Sequence, residues 1–277
     1  MSTWFITGCS TGLGRALAEA VLARGHQAVV TARDATKLAE LSEAYPDTAL
    51  IVPLDVTDPV KVTEAVQKAH NRFGGIDVLV NNAGYGYRAA VEEGEDADIQ
   101  RLFATNFFGP VETIRAALPD MRARRSGAIV NVSSIGARIS PVGSGYYSAA
   151  KAALEGMSRS LRKELEPLGI SVTIVEPGSF RTDFAGRSLV QSAMEIADYA
   201  ETAGKRRKEN DSSHGTQPGD PAKAAKAIIT AVEDPAPPLL LLLGEDALDR
   251  YLQVEEAQRA EVERWRELTV GTSFAPR

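Results

Sequence analysis

Seven short apolar segments recur along the chain, and longer segments with helical spacing of apolar residues lie between them. Each apolar segment has five or six residues, a length typical of strands buried in a parallel sheet. They span 3–7, 27–32, 49–54, 76–80, 127–132, 171–175 and 238–243. Because strand and helix alternate, the pattern predicts an α/β fold whose doubly wound sheet has seven parallel strands and helices on both faces. The uniform leucines of the last strand predict burial on both of its faces.

Helical spacing predicts six helices, and two of them begin with the same signal. Asp58-Pro59 and Asp220-Pro221 each place an Asp at the N-cap and a Pro at the first helical position. The other four are predicted over 15–24, 96–124, 147–165 and 247–268, and the Asp220 helix runs to Val232.

The pattern breaks down between 183 and 218. Residues 189–203 fit a helix, whereas 204–218 are polar and charged and include the run Lys-Arg-Arg-Lys, which predicts solvated surface. An insertion of this length in a compact fold is typical of a lid or a binding loop. We therefore expect one domain over 1–277, with 185–218 as a substrate lid and 245–277 as a C-terminal helical extension.

Composition and charge exclude several classes of function. The chain has 277 residues, 44% of them apolar and 25% charged, as in ordinary globular proteins. Its formal charge of −6 argues against nucleic acid or an anionic membrane as the main ligand. A single cysteine, Cys9, excludes an intramolecular disulfide, and three scattered histidines predict no metal site. With no signal peptide and no apolar run longer than 239–243, a soluble cytoplasmic protein is expected.

A glycine-rich turn follows the first strand and opens the first helix. Gly8, Gly12 and Gly14 lie there, where backbone N–H groups at a helix N-terminus bind pyrophosphate. The spacing is G-x-x-x-G-x-G rather than G-x-G-x-x-G, so a plain tight turn is the alternative. About twenty residues further on, where an adenosine ribose is bound, the second strand ends in Ala32 and Arg33 follows it. A guanidinium there suits a 2′-phosphate, which favours NADP, with NAD as the alternative because Asp34 comes next.

Tyr147 and Lys151 stand four residues apart in an alanine-rich segment, so a helix places both on one face. A phenol has a pKa near ~10, and an ammonium within reach favours its ionised form. Ser134, thirteen residues earlier, supplies a hydroxyl that can hydrogen-bond a carbonyl. A solvated helix face is the alternative for the Tyr-Lys pair.

Pro110 interrupts the long predicted helix 96–124. It cannot donate to the carbonyl of Asn106, four residues before it, so that carbonyl is expected to bind water or a ligand. A simple kink is the alternative. Asn81, at the end of the fourth strand, is read as a tie between neighbouring strands or as a ligand contact.

Taken together, these segments resemble the short-chain dehydrogenase/reductase family of Rossmann-type proteins, over residues 3 to about 184 and the last strand. Thr7–Gly14 is similar to its cofactor loop, Asp55 to its adenine-binding acid, and Asn82–Gly84 to its N-A-G motif. Pro177–Thr182 resembles the segment that binds the nicotinamide carboxamide. The loop also resembles that of hydroxysteroid and retinol dehydrogenase-like members.

The resemblance implies roles for individual residues. It implies a catalytic tetrad of Asn106, Ser134, Tyr147 and Lys151. Tyr147 would be the acid or base and Ser134 would hold the substrate oxygen. Lys151 would lower the pKa of Tyr147 and bond the nicotinamide ribose, and the carbonyl of Asn106 would hold a water. The implied cofactor-binding residues are Gly8, Ser10, Thr11, Gly12, Leu13, Gly14, Arg33, Asp55, Val56, Asn82, Ala83, Gly84, Tyr147, Lys151, Pro177, Gly178, Phe180 and Thr182.

The implied reaction is NADP(H)-dependent interconversion of a secondary alcohol and a ketone or aldehyde. An apolar substrate wall is expected from Tyr85, Tyr87, Ile135, Val142, Phe184 and Leu189. One alternative is a reductase of a polar sugar or acyl-thioester ketone, for which Arg138 and Arg187 would supply charge. The other is a non-catalytic NADP-binding sensor. The partner is a small-molecule substrate, and a homodimer or homotetramer formed through the last strand is expected.

Overall fold

A parallel sheet lies at the centre of the protein. The computed structural model describes residues 1–186, 188–208 and 215–274. Within these ranges the strands are β1 (Thr3–Ile6), β2 (Gln27–Ala32), β3 (Ala49–Pro53), β4 (Val78–Asn81), β5 (Gly86–Arg88), β6 (Gly127–Val132), β7 (Ile170–Pro177), β8 (Leu189–Gln191) and β9 (Leu240–Leu243). The seven predicted strands are all present, with ends that differ by at most two residues from the predicted ones.

The strand order of the sheet creates a cleft at one edge. Seven strands pair in the order β3-β2-β1-β4-β6-β7-β9, and every pairing is parallel. From β1 the chain winds outward to β3 and then returns to β4, beside β1, before winding the other way. A crevice opens outside the carboxyl ends of the strands at such a reversal, and ligands bind there. The predicted Rossmann-type fold is confirmed.

Helices cover both faces of the sheet. In the part of the chain described above they are α1 (Gly12–Ala23), α2 (Ala39–Ala44), α3 (Pro59–Phe73), α4 (Asp96–Phe103), α5 (Gly109–Arg124), α6 (Gly136–Ile139), α7 (Gly145–Leu165), α8 (Pro221–Glu233), α9 (Glu245–Arg264) and α10 (Arg266–Val270). Helices α1 and α8 pack on one face, and α3, α5 and α7 pack on the other. Asp58 and Asp220 cap α3 and α8 as predicted.

Alternate residues of the strands divide between two apolar cores. In β1, Trp4 and Ile6 belong to the core under α1 and α8, whereas Phe5 belongs to the core under α3, α5 and α7. This follows from the two-residue period of a strand. Because both faces are covered, the middle strands are largely apolar and hold the cleft residues on a rigid frame.

The long helix predicted over 96–124 is broken where Pro110 required it to break. A π turn over Ala104–Phe108 separates α4 from α5, and the N–H of Gly109 donates to the carbonyl of Ala104. Because Pro110 has no N–H to donate, the backbone widens by one residue here and continues with π-type hydrogen bonds.

The last strand is less buried than predicted. Leu240, Leu241 and Leu242 are only half-buried, because β9 is the edge of the sheet and, in the described part of the chain, pairs with β7 alone. The subunit contact expected at this strand stays a prediction.

The prediction of one helix over 189–203 is wrong. Residues 189–191 form β8, which pairs in parallel with β5. A short 3-10 turn and a π turn follow over Ala197–Gly204. Pairing with a strand a hundred residues earlier outweighs the local helical pattern here.

The C-terminal extension is a long exposed helix, α9, followed by the short α10 after a break at Trp265. Its first turn packs against the sheet, where Ala247 is buried, and the rest is largely exposed. Among the helices in the described residues, none is both long and apolar enough to cross a bilayer.

Candidate active site

The cleft at the carboxyl edge of the sheet has a volume of about 930 Å³ and contains nearly all of the predicted site residues. Two predicted residues do not line it, namely Gly14 and Asn106. The predicted residues that do line it are Gly8, Ser10, Thr11, Gly12, Leu13, Arg33, Asp55, Val56, Asn82, Ala83, Gly84, Ser134, Tyr147, Lys151, Pro177, Gly178, Phe180 and Thr182.

The loop at one end of the cleft leaves no room for side chains at its three glycines. Gly8 and Gly12 have φ values of +72° and +63°, which side chains rarely allow. Gly14 is buried beneath the loop, and a Cβ on it would lie 2.5 Å from the carbonyl oxygen of Gly8. The loop therefore exposes backbone at the start of α1, which fits the diphosphate of a dinucleotide.

Asn82 fastens this loop to the end of β4. Its Nδ2 donates to the carbonyls of Thr7 and Gly8, at 2.9 and 3.0 Å. The hydroxyl of Thr7 accepts from the backbone N–H groups of Asn82 and Ala83, both at 2.9 Å. The side chain of Asn82 is thus used inside the protein, and its contribution to a cofactor would be the backbone around it.

Cys9 and Asn81 have structural roles. Cys9 is fully buried, and burial raises the pKa of its thiol to about 12. Asn81 donates to Asn131 at 2.9 Å, and Asn131 donates to Ser158 at 2.8 Å, so these side chains tie β4 to β6 and α7. The reading of Asn81 as a strand tie is confirmed.

Arg33 and Asp55 form the opposite end of the cofactor region, where the predicted adenosine would lie. Arg33 is exposed and lines the cleft. Asp34 does not line it, because its Oδ1 accepts from the N–H and the hydroxyl of Thr36, at 3.1 and 2.6 Å, and caps the turn after β2.

Asp55 uses only one of its two carboxylate oxygens. Its Oδ1 accepts from the N–H and the hydroxyl of Thr57, at 3.0 and 2.7 Å. Burial would raise the pKa of Asp55, but the bonds from Thr57 outweigh it and hold that pKa below its usual value. The ionised Oδ2 has no hydrogen-bond donor among the described residues, so it can accept from an adenine amine.

Tyr147 and Ser134 meet in the middle of the cleft. Burial raises the pKa of Tyr147, and a hydrogen bond with Ser134 and then the charge of Arg88 act in the opposite direction. The N–H of Gly136 donates to the Ser134 oxygen at 3.0 Å, which leaves the hydroxyl proton of Ser134 for the phenol oxygen or a substrate oxygen. Tyr146 points elsewhere and donates to the carbonyl of Val91 at 2.6 Å.

Lys151 lies on the same helix face as Tyr147, as its spacing predicted, and both are buried. Its Nζ donates to the carbonyl of Val132 at 2.8 Å. Burial lowers the pKa of Lys151 to about 8, with the charge of Glu155 acting against it. The expectation that Lys151 lowers the pKa of Tyr147 differs from what the structure gives, since Ser134 and Arg88 are the groups that do so.

Asn106 is fully buried in the π turn and holds the chain after β4. Its Nδ2 donates to the carbonyl of Tyr85 at 2.9 Å, and its Oδ1 accepts from the N–H of Tyr85 at 3.1 Å. A Cβ on Gly84 would lie 3.1 Å from that Oδ1 and 3.4 Å from Lys151 Nζ. Glycine at 84 therefore keeps Asn106 and Lys151 close to the same backbone.

The segment predicted to bind the nicotinamide carboxamide, Pro177–Thr182, is positioned by a residue that the sequence did not reveal. Asp246, in the first turn of α9, accepts from the N–H of Ser179 at 2.8 Å. Arg250, one turn further on, lines the cleft. The charged sequence of the C-terminal extension does not indicate a site residue. Only the pairing of β9 with β7 shows that the extension reaches the site.

Only half of the predicted apolar wall lines the cleft. Tyr85, Ile135 and Phe184 do so, and the rings of Tyr147 and Phe184 are 5.8 Å apart. The other three lie elsewhere. Tyr87 is buried beside α4 and α7, Val142 is 57% exposed, and Leu189 packs over Gly86.

The predicted lid is folded against the body of the protein through a buried ion pair. Arg207 donates to Glu93 at 2.6 Å, and Glu93 also accepts from the N–H groups of Ala90 and Ile196, each at 2.9 Å. The prediction that the run 205–208 is solvated surface is therefore wrong for Arg207, which is 6% exposed, and Arg206 lines the cleft. Arg187 and His214 lie outside the described residues.

Of two further arginines near the substrate end, one contributes its charge to the cleft and the other does not. Arg88, at the end of β5, lines the cleft, whereas Arg138 does not. Arg138 donates to buried Glu176 at 3.0 Å and lies 3.5 Å from Glu155. Arg88 could not be predicted as a site residue, because its place depends on the pairing of β5 with β8. Within the described ranges, no three His, Cys, Asp or Glu side chains come together as a metal site.

Comparison with known proteins agrees with this geometry. The family model for short chain dehydrogenases matches residues 2–192. The chain is 39% identical to the oxidoreductase BOA17 of Botryotinia fuckeliana, over 98% of both chains. It is 35% identical to the 3-ketodihydrosphingosine reductase of Bacteroides thetaiotaomicron, over 86% of both.

A solved structure of a short-chain dehydrogenase from Streptomyces avermitilis superposes on it with a TM-score of 0.92 and 43% identity, over 99% of this chain and 100% of that one. The hydroxysteroid and retinol dehydrogenase-like branch stays a prediction. The fold, the glycine loop and the Ser134–Tyr147–Lys151 group fit one conclusion: the chain belongs to the short-chain dehydrogenase/reductase family and is an NAD(P)-dependent oxidoreductase.

Proposed function

We propose that this protein interconverts a secondary alcohol and a ketone or aldehyde, with NADP(H) as its cofactor. The observation that carries the proposal is the meeting of Ser134 and Tyr147 at the wall of the cleft, where both lie within 3.4 Å of the same point beside Gly136, with Lys151 on the helix face of Tyr147. A non-catalytic sensor would need none of these three groups in this arrangement.

Tyr147 and Ser134 would handle the proton and the oxygen of the substrate. Because burial raises the pKa of Tyr147, its phenol is protonated at neutral pH and can donate to a carbonyl oxygen during reduction. Ser134 would hold that oxygen and stabilise the negative charge that develops on it. In the oxidising direction the same groups act in reverse. The nicotinamide, when bound, supplies or accepts the hydride.

Lys151 and Asn106 would connect this centre to solvent. The Val132 carbonyl holds the Lys151 ammonium beside the cleft at 2.8 Å, where by family analogy it bonds the nicotinamide ribose. We infer that the carbonyl of Asn106 holds a water, because Pro110 has no N–H to donate to it and the helix widens to a π turn there.

The preference for NADP is argued from Arg33 and Asp34. The guanidinium of Arg33 lines the cleft after β2, where it suits a 2′-phosphate. The carboxylate that would instead accept from a ribose 2′-hydroxyl is that of Asp34, and Thr36 occupies it.

The substrate would place an apolar part against Tyr85, Ile135 and Phe184. The 3-ketodihydrosphingosine reductase among the relatives supports a ketone as the reacting group. The polar-sugar or thioester alternative loses the support of Arg138, which the carboxylates of Glu176 and Glu155 hold. We also infer that the chain works as one domain, since α9 brings Asp246 and Arg250 to the cleft.

The test is NADPH oxidation with a panel of ketones and aldehydes by wild type and by Tyr147→Phe. We expect Tyr147→Phe to lower kcat by about a hundred-fold or more, because a general acid contributes that much. NADPH binding, followed by its fluorescence, should persist in the variant. Tyr146→Phe is the matched control and should retain wild-type turnover. Near wild-type turnover in Tyr147→Phe would contradict the proposal.

A further inference from the structure

The side chain of Arg88 is buried, and in the part of the chain that the structure describes it has no ion-pair partner. Its side chain is 9% exposed, and its Nε is buried with no hydrogen-bond acceptor. Among the described residues, no carboxylate and no carbonyl accepts a hydrogen bond from its guanidinium. A buried charge is stable only when it is paired or hydrogen-bonded, so an arginine in this state is expected to have a partner that is not part of the chain.

Two other arginines of the described chain show what Arg88 lacks. Arg207 is 6% exposed and pairs with Glu93 at 2.6 Å. Arg138 pairs with the fully buried Glu176 at 3.0 Å. Each has a carboxylate from another element, whereas no carboxylate within the described ranges forms an ion pair with Arg88, which β5 places in the cleft.

The cleft around Arg88 is positive. Burial, followed by the neighbouring charge of Arg206, lowers the pKa of Arg88 to about 10, so the guanidinium is still charged at neutral pH. Asp98, which also lines the cleft, pairs with Arg101.

Arg88 is also close to the reacting centre. Its charge acts on Tyr147, and both side chains line the same cleft as Phe184 and Tyr85. A group bound to Arg88 would therefore lie near the substrate oxygen that Tyr147 and Ser134 hold. A guanidinium recognises carboxylate and phosphate best, since two parallel N–H groups match two oxygens.

We propose that Arg88 binds an oxyanion of the substrate, a carboxylate or a phosphate carried close to the carbon that reacts at Tyr147. This inference rests on the proposed function, and it narrows the substrate to an oxo or hydroxy acid, or its phosphate counterpart, with an apolar part against Phe184. Arg206 adds positive charge to the same end of the cleft.

The first experiment compares matched substrates with the wild-type protein and NADPH. Acetoacetate and levulinate are each measured against their methyl esters, and dihydroxyacetone phosphate against dihydroxyacetone. The two pairs distinguish a carboxylate from a phosphate. We expect kcat/KM to be at least about tenfold higher for the anion in one of the pairs, since a desolvated charge pair supplies that much. Esters turned over as well as acids, with no preference for the phosphate, would overturn the proposal and leave the proposed function intact.

The second experiment removes the charge from Arg88. Arg88→Met should lower the anion-to-neutral ratio of kcat/KM by about tenfold or more and so abolish the preference for the anion, as expected for a buried charge pair that loses one partner. The ratio cancels any effect of Arg88 on the pKa of Tyr147. Arg88→Lys keeps the charge but loses the two-fold contact, so it should restore part of the ratio. The KM for NADPH should not change, and an increase there would assign Arg88 to the cofactor instead.

Stability provides a matched control with Arg207. Arg88→Met removes an unpaired buried charge, so we expect its melting temperature to equal or exceed that of wild type by about 2–4 °C. Arg207→Met leaves Glu93 buried without its ion-pair partner and should lower the melting temperature. A fall of the same size in both variants would show that Arg88 has a partner within the chain, contrary to the proposal.

Calorimetry separates this inference from the proposed reaction. The Tyr147→Phe variant loaded with NADPH is titrated with levulinate and with its methyl ester, with and without Arg88→Met. Binding of the acid that disappears in Arg88→Met supports the anion site even if no carbonyl is turned over. If levulinate binds no more tightly than its methyl ester, the anion site is contradicted even if the reductase activity is confirmed.

Discussion

The two halves of the cleft are built from different materials. The cofactor half, formed by residues 8–14, 55–57 and 82–84, is made of short sequence motifs that expose backbone, with bonds inside a motif, as from Thr57 to Asp55, and between motifs, as from Asn82 to Thr7. The substrate half, formed by residues 85–95 and 188–208, uses buried charges from distant parts of the chain, as in the pair Glu93–Arg207, 114 residues apart. A half built on local spacing can be recognised in a sequence, and a half built on distant charges depends on the fold.

The largest effect is expected where the substrate half loses a charge. Glu93→Gln leaves Arg207 buried beside a neutral amide, which costs about 3 kcal/mol for a broken buried pair. We expect faster hydrogen exchange over 188–208 and a higher KM for the substrate. The KM for NADPH should stay the same, because the cofactor half has no contact with this pair.

Glu92→Gln is the control for that experiment. Glu92 is exposed and accepts from the hydroxyl of Tyr199 at 2.8 Å, so its loss should change stability by less than about 1 kcal/mol. If Glu93→Gln raised the KM for NADPH as much as that for the substrate, the two halves would form one unit and the comparison would fail.

In the cofactor half, the addition of a single methyl group should weaken NADPH binding. Gly14→Ala places a Cβ 2.5 Å from the carbonyl of Gly8, so the loop must shift away from its position. We expect NADPH affinity to fall by up to about a hundred-fold, the upper range for overpacking a tight site. Fluorescence titration with NADPH measures it, and the hydrogen exchange of 188–208 should not change.

Gly156→Ala is the matched substitution. Gly156 is exposed in the middle of α7, and a Cβ there meets nothing within 4 Å. Alanine should raise the free energy of unfolding by about 0.5–1 kcal/mol and leave NADPH affinity unchanged. Wild-type affinity in Gly14→Ala would show that the loop is not the cofactor cradle.

The same contrast explains what the sequence predicted and what it missed. The seven strands follow from continuous apolar segments, the glycine loop from its G-x-x-x-G-x-G spacing, and the Tyr147–Lys151 face from a four-residue period, all of which are local. The strand β8 was missed because its partner, β5, lies a hundred residues earlier, and local propensity favoured a helix. Arg88 depends on that same pairing.

Burial is the other reason for the misses. The spacing of Tyr147 and Lys151 was correct, but the burial that raises the pKa of Tyr147 and lowers that of Lys151 could not be predicted from it. Asp246 was missed because α9 reads as a charged surface helix, and its first turn meets the end of β7 only in the folded sheet. Which charges are buried is a property of packing rather than of pattern.

The smallest effect is expected at Arg33, the charged exception within the cofactor half. Arg33→Ala should raise the KM for NADPH by about thirty-fold, as for a lost charge-assisted hydrogen bond, and leave the KM for NADH unchanged. Lys37→Ala is the control, because Lys37 is exposed and lies 3.8 Å from Asp34, outside the cleft. It should leave both KM values as in wild type. If Arg33→Ala raised the KM for NADPH and for NADH equally, Arg33 would contact a part that both cofactors share. The cofactor half would then have no side chain that distinguishes NADPH from NADH.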